Sequence, residues 1–230
     1  MERHFDNDLG ELKQRLLTMA SHAESAVNRA LEALSTRNYD LALEVKQSDT
    51  VLDREEMEID ALAINLLAKA PLATDLRFVT AAMKISQNLE RVGDEAAKIA
   101  KRARDLSQEP PLKITVDLPR MANLALTMLK GALDAFVNHD SAAARRLIPQ
   151  DAEVDTLNKQ ITRELTQHMM SDRESIPRCL NLMVATRSLE RIADHATNVA
   201  EEVVYLCEAQ DIRHPGLSQG ESAGSNVSSP

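Results

Sequence analysis

The run Leu89-Glu90-Arg91-Val92-Gly93-Asp94-Glu95-Ala96-Ala97-Lys98-Ile99-Ala100 returns a hundred positions later as Leu189-Glu190-Arg191-Ile192-Ala193-Asp194-His195-Ala196-Thr197-Asn198-Val199-Ala200. Six of these twelve positions are identical and two more exchange Val for Ile. Upstream, Asp49-Thr50-Val51-Leu52-Asp53 is echoed by Asp151-Ala152-Glu153-Val154-Asp155. Further upstream, Asn38-Tyr39-Asp40-Leu41-Ala42 is echoed by Asn138-His139-Asp140-Ser141-Ala142. Landmarks in the same order at about the same interval imply two copies of one structural unit, which excludes most folds of this length.

Each copy reads as three helices. Leu9, Leu12, Leu16, Met19, Ala23, Ala26, Ala30 and Leu34 form a helical stripe over residues 6–36, and Val45, Leu52, Ile59 and Leu66 recur seven apart over 39–69. Asn38 and Asp40 supply the turn and cap between them, and Pro71 ends the second helix or sits in the turn after it. A third helix runs over 73–107. Pro110-Pro111 breaks the chain, so 107–115 is the linker between the copies. In the second copy the helices fall over 117–138, 140–170 and 174–209. Pro119 and Pro177 suit first turns, whereas Pro149 must start or kink the fifth helix. The expected organisation is an all-α chain of two tandem antiparallel three-helix bundles, residues 1–110 and 111–213, with a disordered tail over 214–230 that is rich in Pro, Gly, Ser and Asn. Composition agrees: aromatics are 2% and Trp is absent, so a β-sandwich or barrel lacks its usual material.

Net charge is −9, which disfavours a general nucleic-acid binder and suits either cation binding or plain solubility. Cys179 and Cys207 both fall at apolar helical spacing and read as buried thiols, not a disulfide. The N-terminus lacks the apolar segment of a signal peptide, and no stretch of 18 apolar residues is present. The expected location is the cytoplasm, with any membrane association only peripheral and through partners.

The acidic residues carry the functional signal. Asp49, Asp53, Glu56 and Asp60 fall on one face of the second helix, bordering the Val45/Leu52/Ile59 stripe. Asp151 and Asp155 stand in the same relation to Leu147, Val154 and Ile161, with Asn158 in place of a third acid. Glu90 and Asp94 share a face with Val79, Met83, Ser86, Gly93 and Ala97, and Glu190 and Asp194 with Cys179, Met183, Thr186, Ala193 and Thr197. Like charges one turn apart cost a helix ~0.2–0.5 kcal/mol, and burying them unpaired costs far more. Carboxylates on facing helices can be neutralised by bridging a divalent metal. The competing account pairs them with Arg54, Arg77, Arg91, Arg187 and Arg191. No Glu-x-x-His pair, phosphate-binding glycine loop, nucleophile elbow or zinc-type cysteine cluster is present. His195 is a metal ligand or a partly exposed helix residue. Asn198 offers an oxygen ligand or a helix–helix hydrogen bond. Arg77 and Arg91 meet an anion or the acid stripes. Met83 and Met183 read as core.

The run Pro71-Leu72-Ala73-Thr74-Asp75-Leu76-Arg77, the two Leu-Glu-Arg-x-x-Asp segments, Arg187 to Asn198 and Gln210-Asp211-Ile212-Arg213-His214 together resemble the PhoU family, from about Phe5 to His214. The resemblance implies multinuclear metal clusters on Asp49, Asp53, Glu90 and Asp94 in one copy and on Asp151, Asp155, Glu190 and Asp194 in the other. Glu56, Asp75, Arg77, Arg91, Arg191 and Asn198 would support them. The metal would be Fe, Mn, Mg or Zn. It further implies a homodimeric negative regulator of the phosphate-starvation response, linking the ATPase subunit of the Pst phosphate ABC transporter to a PhoR-type sensor histidine kinase and restraining phosphate uptake. The second copy has Glu174-Ser175-Ile176-Pro177-Arg178 where the first has Asp75-Leu76-Arg77, and Ala193 where the family pattern has Gly. Two other readings stand beside a non-enzymatic regulator: a metal store or metal-dependent hydrolase, and a helical adapter whose acids only form salt bridges.

Overall fold

The helical stripes close on one another along their apolar faces. The computed structural model describes residues 2–69 and 72–213; the readings of Pro71 and of the tail from His214 fall outside the described residues. Seven α-helices appear: α1 (Glu2–Thr36), α2 (Tyr39–Leu67), α3 (Ala73–Ser107), α4 (Leu118–Asn138), α5 (Ser141–Leu147), α6 (Asp151–Ser171) and α7 (Ile176–Glu208). No strand occurs among the described residues, and no helix is long and apolar enough to cross a membrane.

The punctuation follows local chemistry. Arg37 adopts a left-handed φ of 55° after α1. Its guanidinium donates to the carbonyls of Leu106 and Glu109, which ties the α1–α2 turn to the end of α3. The Asn38 side chain then caps α2, accepting from the Leu41 amide at 3.1 Å. In the second copy Asp140 caps α5 by accepting from Ala143 N at 2.8 Å. Pro119 and Pro177 both fall in first turns, where the missing amide is no loss.

One expected element divides. A single 3-10 turn, Ile148–Gln150, separates α5 from α6. Pro149 has no amide to donate one turn back and its ring crowds the carbonyl there, so the long fifth helix is interrupted at this turn. The cysteines divide too. Cys179 is buried, but Cys207 is exposed, because the last turn of α7 passes the end of the core.

In the first copy α1, α2 and α3 pack mutually; in the second α4, α5–α6 and α7 do the same. Leu12, Leu16, Met19, Val45, Leu52, Ile59 and Leu66 are all buried as the spacing requires. One hydrophobic core runs through both copies. The copies join along α3 and α7, which lie antiparallel: Asn88 meets His195, Glu95 meets Arg191 and Arg102 meets Asn181. Phe78 on α3 stacks against Phe136 on α4 with ring centroids 6.2 Å apart.

This seam is polar in places. Glu95 is 4% exposed and takes Lys98 Nζ at 2.9 Å and Arg191 at 3.2 Å. Glu202, equally buried, takes Lys84 at 3.1 Å and Arg213 at 3.2 Å. Each buried carboxylate is thus met by two cations, one from the opposing helix or the following segment.

Candidate functional site

In the second copy, α6 carries Asp151 and Asp155 and α7 carries Glu190 and Asp194, turned towards each other across the helix pair. Glu190 is 8% exposed and Asp151 and Asp155 are half-buried, while Asp194 reaches solvent. Burial, followed by the charges of Asp155 and Glu190, pushes the Asp151 carboxyl up. Partial desolvation by the neighbouring helix, then Asp151 and Asp155, does the same to Asp194, against the pull of Arg187 and Arg191. Glu190 is pushed up by burial despite its ion pair with Arg187 and the nearby Asn158 amide. Asp151 Oδ1 and Asn158 Oδ1 are both sealed from solvent without a hydrogen-bond partner among the described residues. Buried oxygens of this kind normally find a donor or a cation.

The first copy repeats the arrangement in a more open form. Burial raises the Glu90 carboxyl, and Asp94 on its own helix and Glu56 and Asp53 across the pair raise it further; Arg91 pulls it back. Glu56 is raised by burial, then by Asp60 and Asp53, again opposed by Arg91. Asp53 is exposed, and Asp94 has Lys98 at 3.8 Å. The Asp49 side chain lies outside the described residues. α2 and α3 come close here because Gly93 faces Leu52.

The donors in both copies are carboxylate and amide oxygens, a set that suits hard or borderline divalent ions. The orphaned oxygens of Asp151 and Asn158 fit such an ion in kind. Among the described residues no three of these side chains converge on one point as they stand, so closing on an ion requires side-chain rotation. A long carboxylate such as Glu190 can make that movement without shifting its helix.

Several singled-out residues take other places. Arg191 pairs with Glu95. Asn198 donates to Asn88 at 3.2 Å and His195 meets the same Asn88 oxygen at 3.0 Å, so both face α3. Burial and Arg91 hold the His195 imidazole below its ordinary range. Arg77 makes no ion pair with any acid stripe among the described residues; it lines a cavity with Lys13 and Phe78. Asp75 lies in the first turn of α3, some fifteen residues, or about 22 Å, along the helix from Glu90. Met83 and Met183 pack against the core.

Glu95 is not legible in the sequence as a site residue. The one available hint is that the repeat changes Glu95 to His195 while keeping the Asp before it and the Ala after it. Asn158 is visible there only as a substitution for an acid; its buried, unpartnered oxygen depends on what α7 packs against it.

A family model for the PhoU domain matches residues 16–103 and again residues 118–203. A Pseudomonas aeruginosa protein described as a phosphate-specific transport system accessory protein PhoU homolog is 38% identical over 95% of this chain and 91% of its own length. The Aquifex aeolicus protein of the same description is 38% identical over 92% of this chain and 96% of its own. The crystal structure of PhoU from Pseudomonas aeruginosa superposes with a TM-score of 0.87 at 38% identity, covering 90% of this chain and 100% of that one. That of the phosphate transport system regulatory protein PhoU from Streptococcus pneumoniae gives 0.83 at 31% identity, covering 90% and 99%.

Proposed function

This chain belongs to the PhoU family, and we propose that it is a non-enzymatic, metal-binding negative regulator of the phosphate-starvation response. In this reading it couples the Pst phosphate transporter, through the transporter's ATPase subunit, to a PhoR-type histidine kinase. The transport half of the proposal is supported by its relatives, which are described as accessory to a phosphate-specific transport system.

The observation that carries the metal half is the duplicated gathering of carboxylates whose desolvation, and then whose crowding, raises their pKa values. Asp151, Glu190 and Asp194 in one copy, and Glu56 and Glu90 in the other, are each held above the ordinary range by burial and by neighbouring acids. Asp49, Asp53, Glu90 and Asp94 would hold one centre, with Glu56 beside it. Asp151, Asp155, Glu190 and Asp194 would hold the other, with Asn158 beside it. A bound divalent cation supplies positive charge that relieves this repulsion and joins α2 to α3 and α6 to α7. The chain's own contribution is to place hard oxygen donors on rigid helices at the edge of a core. We assign the surfaces around these helix pairs to contact with the transporter and the kinase.

Elemental analysis of protein purified without chelator, beside an Asp94→Ala/Asp194→Ala variant, tests the metal. The expected result is Fe, Mn, Mg or Zn retained by the parent and lost from the variant; no metal in either would leave only the salt-bridge adapter. Deleting the gene in phosphate-rich medium tests the regulation. Phosphate-scavenging genes should switch on, and unchanged expression would sink the regulatory reading.

A further inference from the structure

Carboxylates meet Lys and Arg side chains at many places among the described residues, though not at all of them. Lys13 on α1, Arg77 on α3 and His139 at the end of α4 have none within ion-pair distance among the described residues, yet all three line one cavity of about 410 Å³. Leu9, Phe78 and Leu206 form its apolar floor. It lies where the two copies meet, since α1 and α3 belong to one and α4 and α7 to the other.

Two features indicate that the cavity is built to receive something negative. Arg77 is half-buried and brings to the cavity wall a guanidinium that no carboxylate meets among the described residues. A partly buried guanidinium keeps a fork of donors that an oxyanion can match. Beside it, Thr74 in the first turn of α3 also lines the cavity. The residue before that helix, Leu72, offers no side-chain acceptor, so the first-turn amides of a 35-residue helix have no cap.

The wall is also kept open. Gly10 lines the cavity from within α1, and a Cβ built on it would meet nothing within 4 Å. Glycine is disfavoured in a helix interior, and here neither close packing nor a positive φ requires it. Its absent side chain leaves the space free.

We propose that this cavity binds a phosphoryl oxyanion, with Arg77 and Lys13 as its principal partners and His139, Thr74 and the first-turn amides of α3 completing the set. Arginine and uncapped helix amides suit that geometry better than a point cation alone. A bare ion would leave most of the volume and the Phe78/Leu206 floor unused, whereas cavities of about 300–1,000 Å³ take whole small molecules. A phosphate monoester with an apolar body therefore fills the site better than inorganic phosphate. Arg77 stands about 20 Å along α3 from Glu90, and the site does not depend on the metal centres.

Isothermal titration of the full chain with phenyl phosphate and, separately, with inorganic phosphate tests this. Parent, Arg77→Gln and Gly10→Phe proteins are compared, with thermal melts to show that each variant folds. The expected result is one site per chain, weakened at least tenfold by either substitution, one removing charge and the other filling space. Tighter binding of phenyl phosphate assigns the organic ester; equal binding assigns the free ion. Absence of binding to the parent at millimolar concentration, or unchanged affinity in either folded variant, overturns the proposal. Should one variant fail to fold, Lys13→Met takes its place under the same criterion.

Discussion

A Cβ placed on Gly93 of α3 would lie 2.2 Å from Leu52 Cδ1 of α2. Leu52 is 2% exposed, and it and Gly93 line a cavity of about 180 Å³ against α1, which leaves its methyl some room to turn. The repeat aligns Leu52 with Val154 and Gly93 with Ala193, so the second copy has a smaller residue on one helix and a larger one on the other. Val154 and Ala193 are both buried, so the volume added at the position of Gly93 is matched by volume removed at the position of Leu52.

Gly93→Ala should therefore destabilise the protein by no more than about 1 kcal/mol, because the cavity beside Leu52 relieves part of the overpacking and alanine's better helix propensity offsets part of the rest. Adding Leu52→Val, which recreates the residue pair of the second copy, should recover part of that loss. Urea denaturation of both single variants and the double variant measures it. Strict additivity would show that the two positions do not share the space.

The crowded carboxylates make the metal-free protein sensitive to pH in a definite direction. Asp151, Glu190, Asp194, Glu56 and Glu90 have raised folded pKa values. Stability from such groups is complete below their unfolded values, 3.8 for Asp and 4.5 for Glu, and is lost as pH climbs through the folded ones. Glu95, pushed up by burial but drawn below its ordinary range by hydrogen bonds from Lys98, Ser188 and Arg191, acts oppositely and loses its contribution as pH falls. In EDTA, an Asp151→Asn/Glu190→Gln/Asp194→Asn variant should melt with the parent near pH 4 and increasingly above it towards pH 7. Added Mn should raise the parent's melting temperature and leave the variant's unchanged. A gap that does not vary with pH would count against the crowding.

Glu95 holds the seam between the copies. Replacing it with Gln leaves Arg191 and Lys98 without their shared anion inside the α3–α7 contact. Because both cations are about half exposed and can rehydrate, the expected loss is about 2 kcal/mol, below the 3–5 of a fully enclosed pair. Arg15→Ala removes the exposed bridges to Glu11 and Glu58 and should cost under about 1 kcal/mol. Guanidinium denaturation separates the two; equal losses would mean that the seam carbons, not its charges, join the copies.

The thiols should report the end of α7. Cys207 is exposed and Cys179 fully buried, so one thiol per native chain should react with DTNB, and Cys207→Ser should abolish that reaction. Partial desolvation of its sulfur, then Glu208 and Asp140, hold the Cys207 thiol above its ordinary range; its reaction at pH 8 should be slower than that of free cysteine. Two fast thiols would show that α7 opens.

Helix identity and helix face are legible in the amino-acid sequence because they are local properties. A stripe such as Val45, Leu52, Ile59 and Leu66 can bury only if the chain between them is helical, and that spacing also places Asp53 and Glu56 at the edge of the core. The duplication adds the pairing of like with like, so acid positions in one copy point to those in the other. Proline chemistry is likewise local, and the interruption at Pro149 needs only the missing amide.

Only the tertiary structure decided which neighbours each charged group meets across a helix pair. Glu95 and Asp94 are adjacent in the chain, yet one is buried against Arg191 of the other copy and the other borders the carboxylate cluster. Arg77 and Arg91 share a helix, but Arg91 lies near acids and Arg77 faces Lys13 and an apolar floor. Periodicity states which way a side chain points from its own helix axis. The field it experiences is set by side chains distant in sequence, and those positions exist only once the helices have packed.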